Sequence, residues 1–377
     1  MNDRILGYDL GRALALAGMV AISFWDLAGE KDSPEWFYIF IQTIMGRPAV
    51  MFVMLAGVGL YLLSKSAYTS QDATRIAENR KTLMKRALFL FVIGMLNTLI
   101  WPWDILHFYA VYFLIGAYLL IASNRRFWAI IISAVVVFSL FMLLTDFERN
   151  EDWDSIGPQD LWHVPGVLYH FFFAGLYPVF PWIGFLFIGV WLGRKDLTEP
   201  RFRRKILIAS LVAVLITEAA SEIFFQMSPS EWRLRRLVGL EPWFDIDPWE
   251  PMPLFFVSGA GSAIIGISLC IVLAEKLKNA KWLLPFVVMG QTTLTLYVAH
   301  TLLGAVIVWF MNYLELETEL FPAWGTLVYL AGALYFCRWW NKVYKRGPLE
   351  LVMGRYLALP MRLTVTGTPP ADLTKEA

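Results

Sequence analysis

KSAYTSQDATRIAENRKTLMKR, residues 65–86, decides the fold. It carries Lys65, Arg75, Arg80, Lys81, Lys85 and Arg86 and joins two apolar runs, Ile41–Ser64 and Leu83–Trp101. Outward from it the same grammar repeats with alternating sign. Asn124-Arg125-Arg126, Arg194–Lys205, Glu275–Lys281 and Arg338–Arg346 are basic, whereas Asp26–Glu35, Asp146–Asp160 and Glu315–Glu319 are acidic. A chain folding in water has no reason to sort its charges this way. One that crosses lipid repeatedly does, because Lys and Arg stay on the cytoplasmic side. The sequence therefore predicts an all-α, polytopic transmembrane helix bundle.

Composition points the same way. Hydrophobic residues make up 58% of the chain and charged residues 17%, far from the balance of a soluble domain. A net charge of +1, with the basic residues scattered among loops, excludes a nucleic-acid partner. Cys270 and Cys337 both fall inside apolar runs, which argues against a disulfide framework or zinc site. Asp9 and Arg12 interrupt the first apolar run, and no clean small-residue cleavage site follows it. It reads as a retained first span rather than a signal peptide.

A span needs roughly 20 apolar residues, which yields about ten candidates. They are Tyr8–Trp25, Ile41–Ser64, Leu83–Trp101, Ile105–Ala122, Phe127–Leu144, Phe180–Leu192, Ile206–Gln226, Pro253–Ala274, Leu284–Phe310 and Ala323–Trp340. An even count places both termini in the cytoplasm. Residues 1–360 read as one membrane domain and 361–377 as a polar, disordered tail. Two far-side segments, Asp146–Tyr177 and Ser228–Pro251, are rich in Trp and Pro, including Trp153, Trp162, Trp232, Trp243 and Trp249. They read either as an interfacial aromatic belt or as caps over an outward-facing cavity.

Ionisable groups at membrane depth mark partners or water-filled cavities. Asp9 and Arg12 share one helix face and either pair with each other or present Arg12 to an anionic ligand. Arg47, followed by Pro48, needs a carboxylate, a carbonyl cluster or a phosphate. Glu218 and Glu222, one turn apart in the outer half of their span, suit a general base or proton carrier. Alternatively they bridge to Arg233, Arg235 or Arg236. The run Gly290–Thr301 is the most polar: Thr293, Tyr297 and His300 form one stripe, while Gln291 and Thr295 lie on another face. Its threonines suit interhelical hydrogen bonds, whereas His300 can take or give a proton near neutrality. Asp104 and His107 sit one turn apart beside the hairpin Trp101–Asp104, and His163 and His170 lie in the aromatic segment. These groups lack metal-ligand spacing, so no metal is expected.

At these residues the chain resembles a known group. Arg4-Ile5-Leu6-Gly7-Tyr8-Asp9-Leu10-Gly11-Arg12-Ala13-Leu14-Ala15 looks like the opening shared by YeiB-like membrane proteins (domain of unknown function 418) and the related heparan-alpha-glucosaminide N-acetyltransferases. Trp103-Asp104-Ile105-Leu106 with Tyr109-Ala110, the run Gly290–Thr301, and Lys345-Arg346-Gly347-Pro348-Leu349-Glu350 with Arg355 are similar to YeiB-like segments. Tyr177-Pro178, Pro181-Trp182, Gly189, Gly193 and His300 are similar to the acetyltransferases. The resemblance implies a bacterial inner-membrane acyltransferase-like protein. In that group, cytosolic acetyl-CoA donates its acyl group to a sugar or similar acceptor on the far side. The sequence departs from the acetyltransferase pattern at three places: Phe24–Phe40 contains no histidine, Ser23 stands where an asparagine is expected, and Ala13 replaces a glycine.

The leading expectation is acyl transfer from acyl-CoA to a lipid, glycan or small envelope metabolite, with membrane lipids around the protein. Arg12 and Arg47 would hold phosphates. Asp9, Gln291, Thr295 and Tyr297 would line the binding site. His300, assisted by Glu218 or Glu222 and with Asp104 nearby, would deprotonate the acceptor. The alternatives are a proton-coupled transporter using the same carboxylates and histidine, or a non-catalytic membrane binding protein.

Overall fold

The computed structural model of the protein describes residues 5–28, 33–144, 164–226, 241–314 and 319–359. Those residues are helical or loop, with no strand among them. In chain order the helices are α1 (Leu6–Ala28), α2 (Glu35–Ile44), α3 (Arg47–Ser70), α4 (Ala73–Thr98), α5 (Leu106–Tyr118) and α6 (Asn124–Leu144). Then come α7 (Val164–Tyr169), continued by a π-turn over His170–Ala174, α8 (Val179–Arg194), α9 (Pro200–Gln226) and the single turn α10 (Glu241–Phe244). The last are α11 (Pro253–Lys276), α12 (Leu284–Gln291), α13 (Thr293–Tyr313), α14 (Phe321–Trp340) and α15 (Pro348–Ala358). Trp153, Trp162, His163, Trp232, Arg233, Arg235, Arg236 and the 361–377 tail lie outside the described residues.

By length and composition, six stretches can cross a membrane: Leu6–Ala28, Glu35–Ser70, Asn124–Leu144, Pro200–Gln226, Pro253–Lys276 and Thr293–Tyr313. Shorter apolar helices, α5 and α8, fill gaps between them. Two of the ten expected spans divide. Ile41–Ser64 is interrupted at Met45-Gly46, where Gly46 has φ +71°. That left-handed geometry favours glycine, and an added Cβ there would also collide with Pro248. Leu284–Phe310 is two helices meeting at Thr292, whose ψ of 23° leaves the helical range.

The core is built where α1, α3, α8 and α11 cross, with Leu16, Met54, Leu55, Trp182, Phe185 and Phe255 fully buried. The basic loops converge at one end of the bundle. Arg194, closing α8, lies over the Tyr68 and Phe127 rings at 4.1 and 4.3 Å and donates to Asn124 Oδ1 at 2.8 Å. Arg203 forks onto Glu275 at 2.7 and 2.8 Å, tying α9 to α11. Arg80 donates to the Ala117 carbonyl at the end of α5. Lys85 donates to the Leu357 and Leu359 carbonyls, where cations complement a helix C-terminus. This basic end is the end at which α1 begins and α15 docks. The charge sorting seen in the sequence is therefore a three-dimensional arrangement.

Candidate functional site

The site begins where α12 meets α1. Gly290 packs so closely on the Asp9 carbonyl that a Cβ would overlap it; only glycine admits that approach. The contact brings Gln291 Nε2 to Asp9 Oδ2 at 3.1 Å, while Asp9 Oδ1 accepts from Arg12 Nη1 at 2.9 Å. Asp9 is 1% exposed and Arg12 keeps about a quarter of its side chain accessible. Arg12, oriented by the buried carboxylate, faces a cavity of about 480 Å³ that opens at the basic end. That volume is typical of a small-molecule site.

Arg86, Lys345 and Arg346 join Arg12 on the cavity wall, with Glu350 the facing carboxylate. Arg86 comes from α4 and stacks near the Phe113 ring. Lys345 and Arg346 come from the loop before α15, whose position is fixed reciprocally. Glu350 Oε1 accepts from Leu294 N at 2.8 Å and Thr295 N at 3.2 Å, capping the start of α13. Thr295 Oγ1 donates to Glu350 Oε2 and accepts from Leu349 N at 2.9 Å. A carboxylate at a helix N-terminus is favoured by the dipole, although burial pushes the Glu350 carboxyl above its usual range. Tyr109 also lines the cavity, and its buried hydroxyl has no hydrogen-bond partner among the described residues.

A second, tighter pocket of about 50 Å³ lies toward the opposite end. Trp101, Trp103, Trp182, Trp249 and Tyr177 wall it, with Ser23 and Asp26 as its polar members from α1. Trp182 is fully buried, and its indole N–H has no hydrogen-bond partner among the described residues. Among the described residues, Tyr297 alone lines both spaces. Its hydroxyl accepts from Ile105 N at 3.3 Å.

Beside Tyr297 lies a buried polar network. Asp104 is wholly buried and accepts from Asn97 Nδ2 at 2.9 Å, Leu106 N at 2.7 Å and His107 N at 3.2 Å. Its Oδ2 also meets His107 Nδ1 at 3.2 Å, and His107 Nε2 faces His170 Nε2 at 3.3 Å. Thr301 Oγ1 donates to Asn97 Oδ1 at 2.8 Å. No group of three or more metal-ligating side chains occurs among the described residues.

His300 is fully buried on α13, one turn past Tyr297. Its Nδ1 meets the Tyr297 carbonyl, which fixes Nδ1 as the protonated nitrogen and leaves Nε2 as acceptor. Nε2 lies 3.2 Å from Ser23 Oγ. Ser23 was visible in the sequence only as a departure from a family pattern. Its partnership with His300 spans 277 residues and leaves no local signal.

Not every expected site residue converges. Arg47 opens α3 at the far end from Arg12, donating to the Thr43 carbonyl at 2.8 Å and pairing with Glu218. Ser258 Oγ also donates to Glu218, at 2.7 Å. Arg47 lines a separate apolar groove of about 580 Å³ among α1, α2, α3, α11 and α14. Glu222 is exposed and accepts from Gln226. Helix α9 packs on α11 at the periphery, so its carboxylates face Arg47 and Gln226 and not His300. Arg86, Tyr109, Trp182, Lys345, Arg346 and Glu350 were not singled out as site residues. Each lies in a different helix or loop from Arg12, and only packing assembles them.

Fold and site together define a multi-pass helical membrane protein with a cationic cavity at one end and an aromatic pocket toward the other. The family described as "Heparan-alpha-glucosaminide N-acetyltransferase, catalytic" matches residues 4–227, and "Protein of unknown function (DUF418)" matches residues 251–359. The first match covers more than half of the chain, which therefore belongs to the heparan-alpha-glucosaminide N-acetyltransferase catalytic family. No curated protein and no solved structure matches it.

Proposed function

We propose that the protein transfers an acyl group across the membrane, from an acyl-CoA bound at the basic, cytosolic end to an acceptor in the aromatic pocket. The observation that carries this reading is that one side chain, Tyr297, walls both spaces. Donor and acceptor can then approach the same point from opposite sides. Arg12, Arg86, Lys345 and Arg346 supply the cationic surface that phosphates require, and guanidinium forks match phosphate oxygens. The Tyr109 hydroxyl and Trp182 indole N–H, without hydrogen-bond partners among the described residues, are polar groups that can bond ligand atoms, one in each space. Edge-to-face tryptophans beside Ser23 and Asp26 suit a small polar group on an acceptor, whether a glycan, a lipid head group or an envelope metabolite. His300 is the base that takes the acceptor's proton.

The test is acetyl-CoA binding to purified protein. A charge-assisted hydrogen bond contributes about 1.5–3 kcal/mol, so Arg86→Gln and Arg346→Gln should each weaken Kd by about tenfold or more. Arg47→Gln should leave it within about twofold, because Arg47 faces another groove. Absence of saturable acetyl-CoA binding, or equal weakening by Arg47→Gln, overturns the reading.

A further inference from the structure

The geometry points to Ser23 as a covalent nucleophile that carries the acyl group between donor and acceptor. This deepens the acyl-transfer reading and rests on it for the identity of the donor. Three observations converge. Ser23 Oγ is 3.2 Å from His300 Nε2, within reach for proton transfer to a base. His300 is itself oriented by a third group, the Tyr297 carbonyl, which holds the proton on Nδ1 and presents Nε2 to the hydroxyl. Ser23 lines the aromatic pocket, next to the wall that this pocket shares with the cationic cavity. Nucleophile, base and orienting acceptor in that order form the arrangement by which a weak hydroxyl nucleophile is activated. Two hydroxyls of α13 are engaged elsewhere: Thr301 Oγ1 donates to Asn97 Oδ1 and the half-buried Thr295 Oγ1 donates to Glu350.

The chemistry balances in two halves. In the first, His300 Nε2 takes the Ser23 hydroxyl proton as Oγ attacks the thioester carbonyl carbon. The C–S bond breaks, and the leaving thiolate takes the proton from His300, leaving an ester on Ser23. In the second, a hydroxyl or amine in the aromatic pocket attacks that ester and gives its proton to His300. The acyl–Oγ bond breaks, and Ser23 Oγ recovers the proton. No other reactant is needed.

Two measurements on the full-length protein in detergent or nanodiscs test this. The first is labelling by a fluorophosphonate probe, located by peptide mass spectrometry; it reads Ser23 reactivity whatever the donor. Wild type should be labelled at Ser23, Ser23→Ala should be unlabelled, and His300→Gln should react roughly 100-fold more slowly, the scale of a lost general base. The second is incubation with acetyl-CoA, which should add 42 Da (about the mass of one acetyl group replacing a proton) to the peptide containing Ser23 in wild type but not in His300→Gln. Size-exclusion profiles matching wild type establish that each variant is folded, and Ser23→Cys should retain an acyl adduct if Ser23→Ala fails that check. Fluorophosphonate labelling without an acetyl adduct sustains the nucleophile and overturns acetyl-CoA as donor. Labelling absent from Ser23, or unaffected by His300→Gln, overturns the assignment.

Discussion

Asp104 shows what a single buried residue holds in place. Its carboxylate accepts from Asn97, from two backbone N–H groups and from His107 at distances of 2.7–3.2 Å. Asp104→Ala would leave all four donors buried and unpaired. Losing one partner of such a set costs about 3–5 kcal/mol, and thermal unfolding in detergent should show a correspondingly large drop in Tm. A loss below about 1 kcal/mol would mean that other groups re-satisfy the donors. Gly290 makes the complementary point, because its absent side chain is what matters. Gly290→Ala forces α12 away from Asp9, and overpacking of that kind costs about 1–3 kcal/mol or more. The same variant should weaken acetyl-CoA binding, read by titration, because Gln291 then loses its register on Asp9. Legibility at this scale was uneven. The stripe Thr293–Tyr297–His300 was visible because its spacing is helical, and all three are buried on α13. Ser23 and Tyr109 were not, since a hydroxyl in an apolar run looks the same whether it touches a histidine, a cavity or nothing.

Among the elements, α15 is held less by hydrophobic contact than by end-to-end polar contacts. Met353 is its only buried residue. Glu350 caps α13 at one end and Lys85 holds the last carbonyls at the other. Burial raises the Glu350 carboxyl above its ordinary value, against the hydrogen bonds that lower it. A native state that holds a proton more tightly than the unfolded chain loses stability as pH rises. The docking contribution is therefore complete below the ordinary glutamate range and declines as pH climbs through the raised native value. Hydrogen exchange at Leu351–Arg355, measured from pH 4 to pH 8, should accelerate beyond its intrinsic pH dependence, and Glu350→Gln should abolish that excess. Element boundaries were the least readable part of the sequence. Leu284–Phe310 reads as one span despite the polar run Gly290-Gln291-Thr292-Thr293 inside it, because hydroxyls and amides are common between membrane helices; the break at Thr292 accompanies the packing of α12 against α1. The division at Gly46 carried a hint, a glycine before Arg47-Pro48, but a single glycine in an apolar run is common in membrane helices.

On the scale of the molecule, sorted charge predicts sidedness. If the basic end is cytosolic, cysteines introduced at Lys65, Lys195 and Lys278 should react with an impermeant thiol reagent only after the membrane is opened. Cysteines at Tyr38 and Trp249 should react in sealed cells. The opposite pattern would place acyl-CoA binding on the wrong side and end the transfer scheme. Helical class and membrane character were the most legible features, because lipid imposes them on every span and composition reports them redundantly. The site was only half legible for the converse reason. Arg12, Gln291 and Tyr297 announce themselves as polar residues in apolar surroundings. The rest of the cationic wall, Arg86 on α4 and Lys345 and Arg346 in the loop before α15, looks in sequence like ordinary cytoplasmic charge.

The shared position of Tyr297 also has a consequence for the membrane as an insulator. Tyr297 borders both hollows, and if the basic end faces the cytosol its ring stands in the electrical barrier across an energised bilayer. Shortening that side chain, as in Tyr297→Ala, should turn a closed vestibule into a leak for protons or small ions, visible as dissipation of an imposed pH gradient in proteoliposomes. The bulk of this phenol would then be kept as much for gradient conservation as for chemistry.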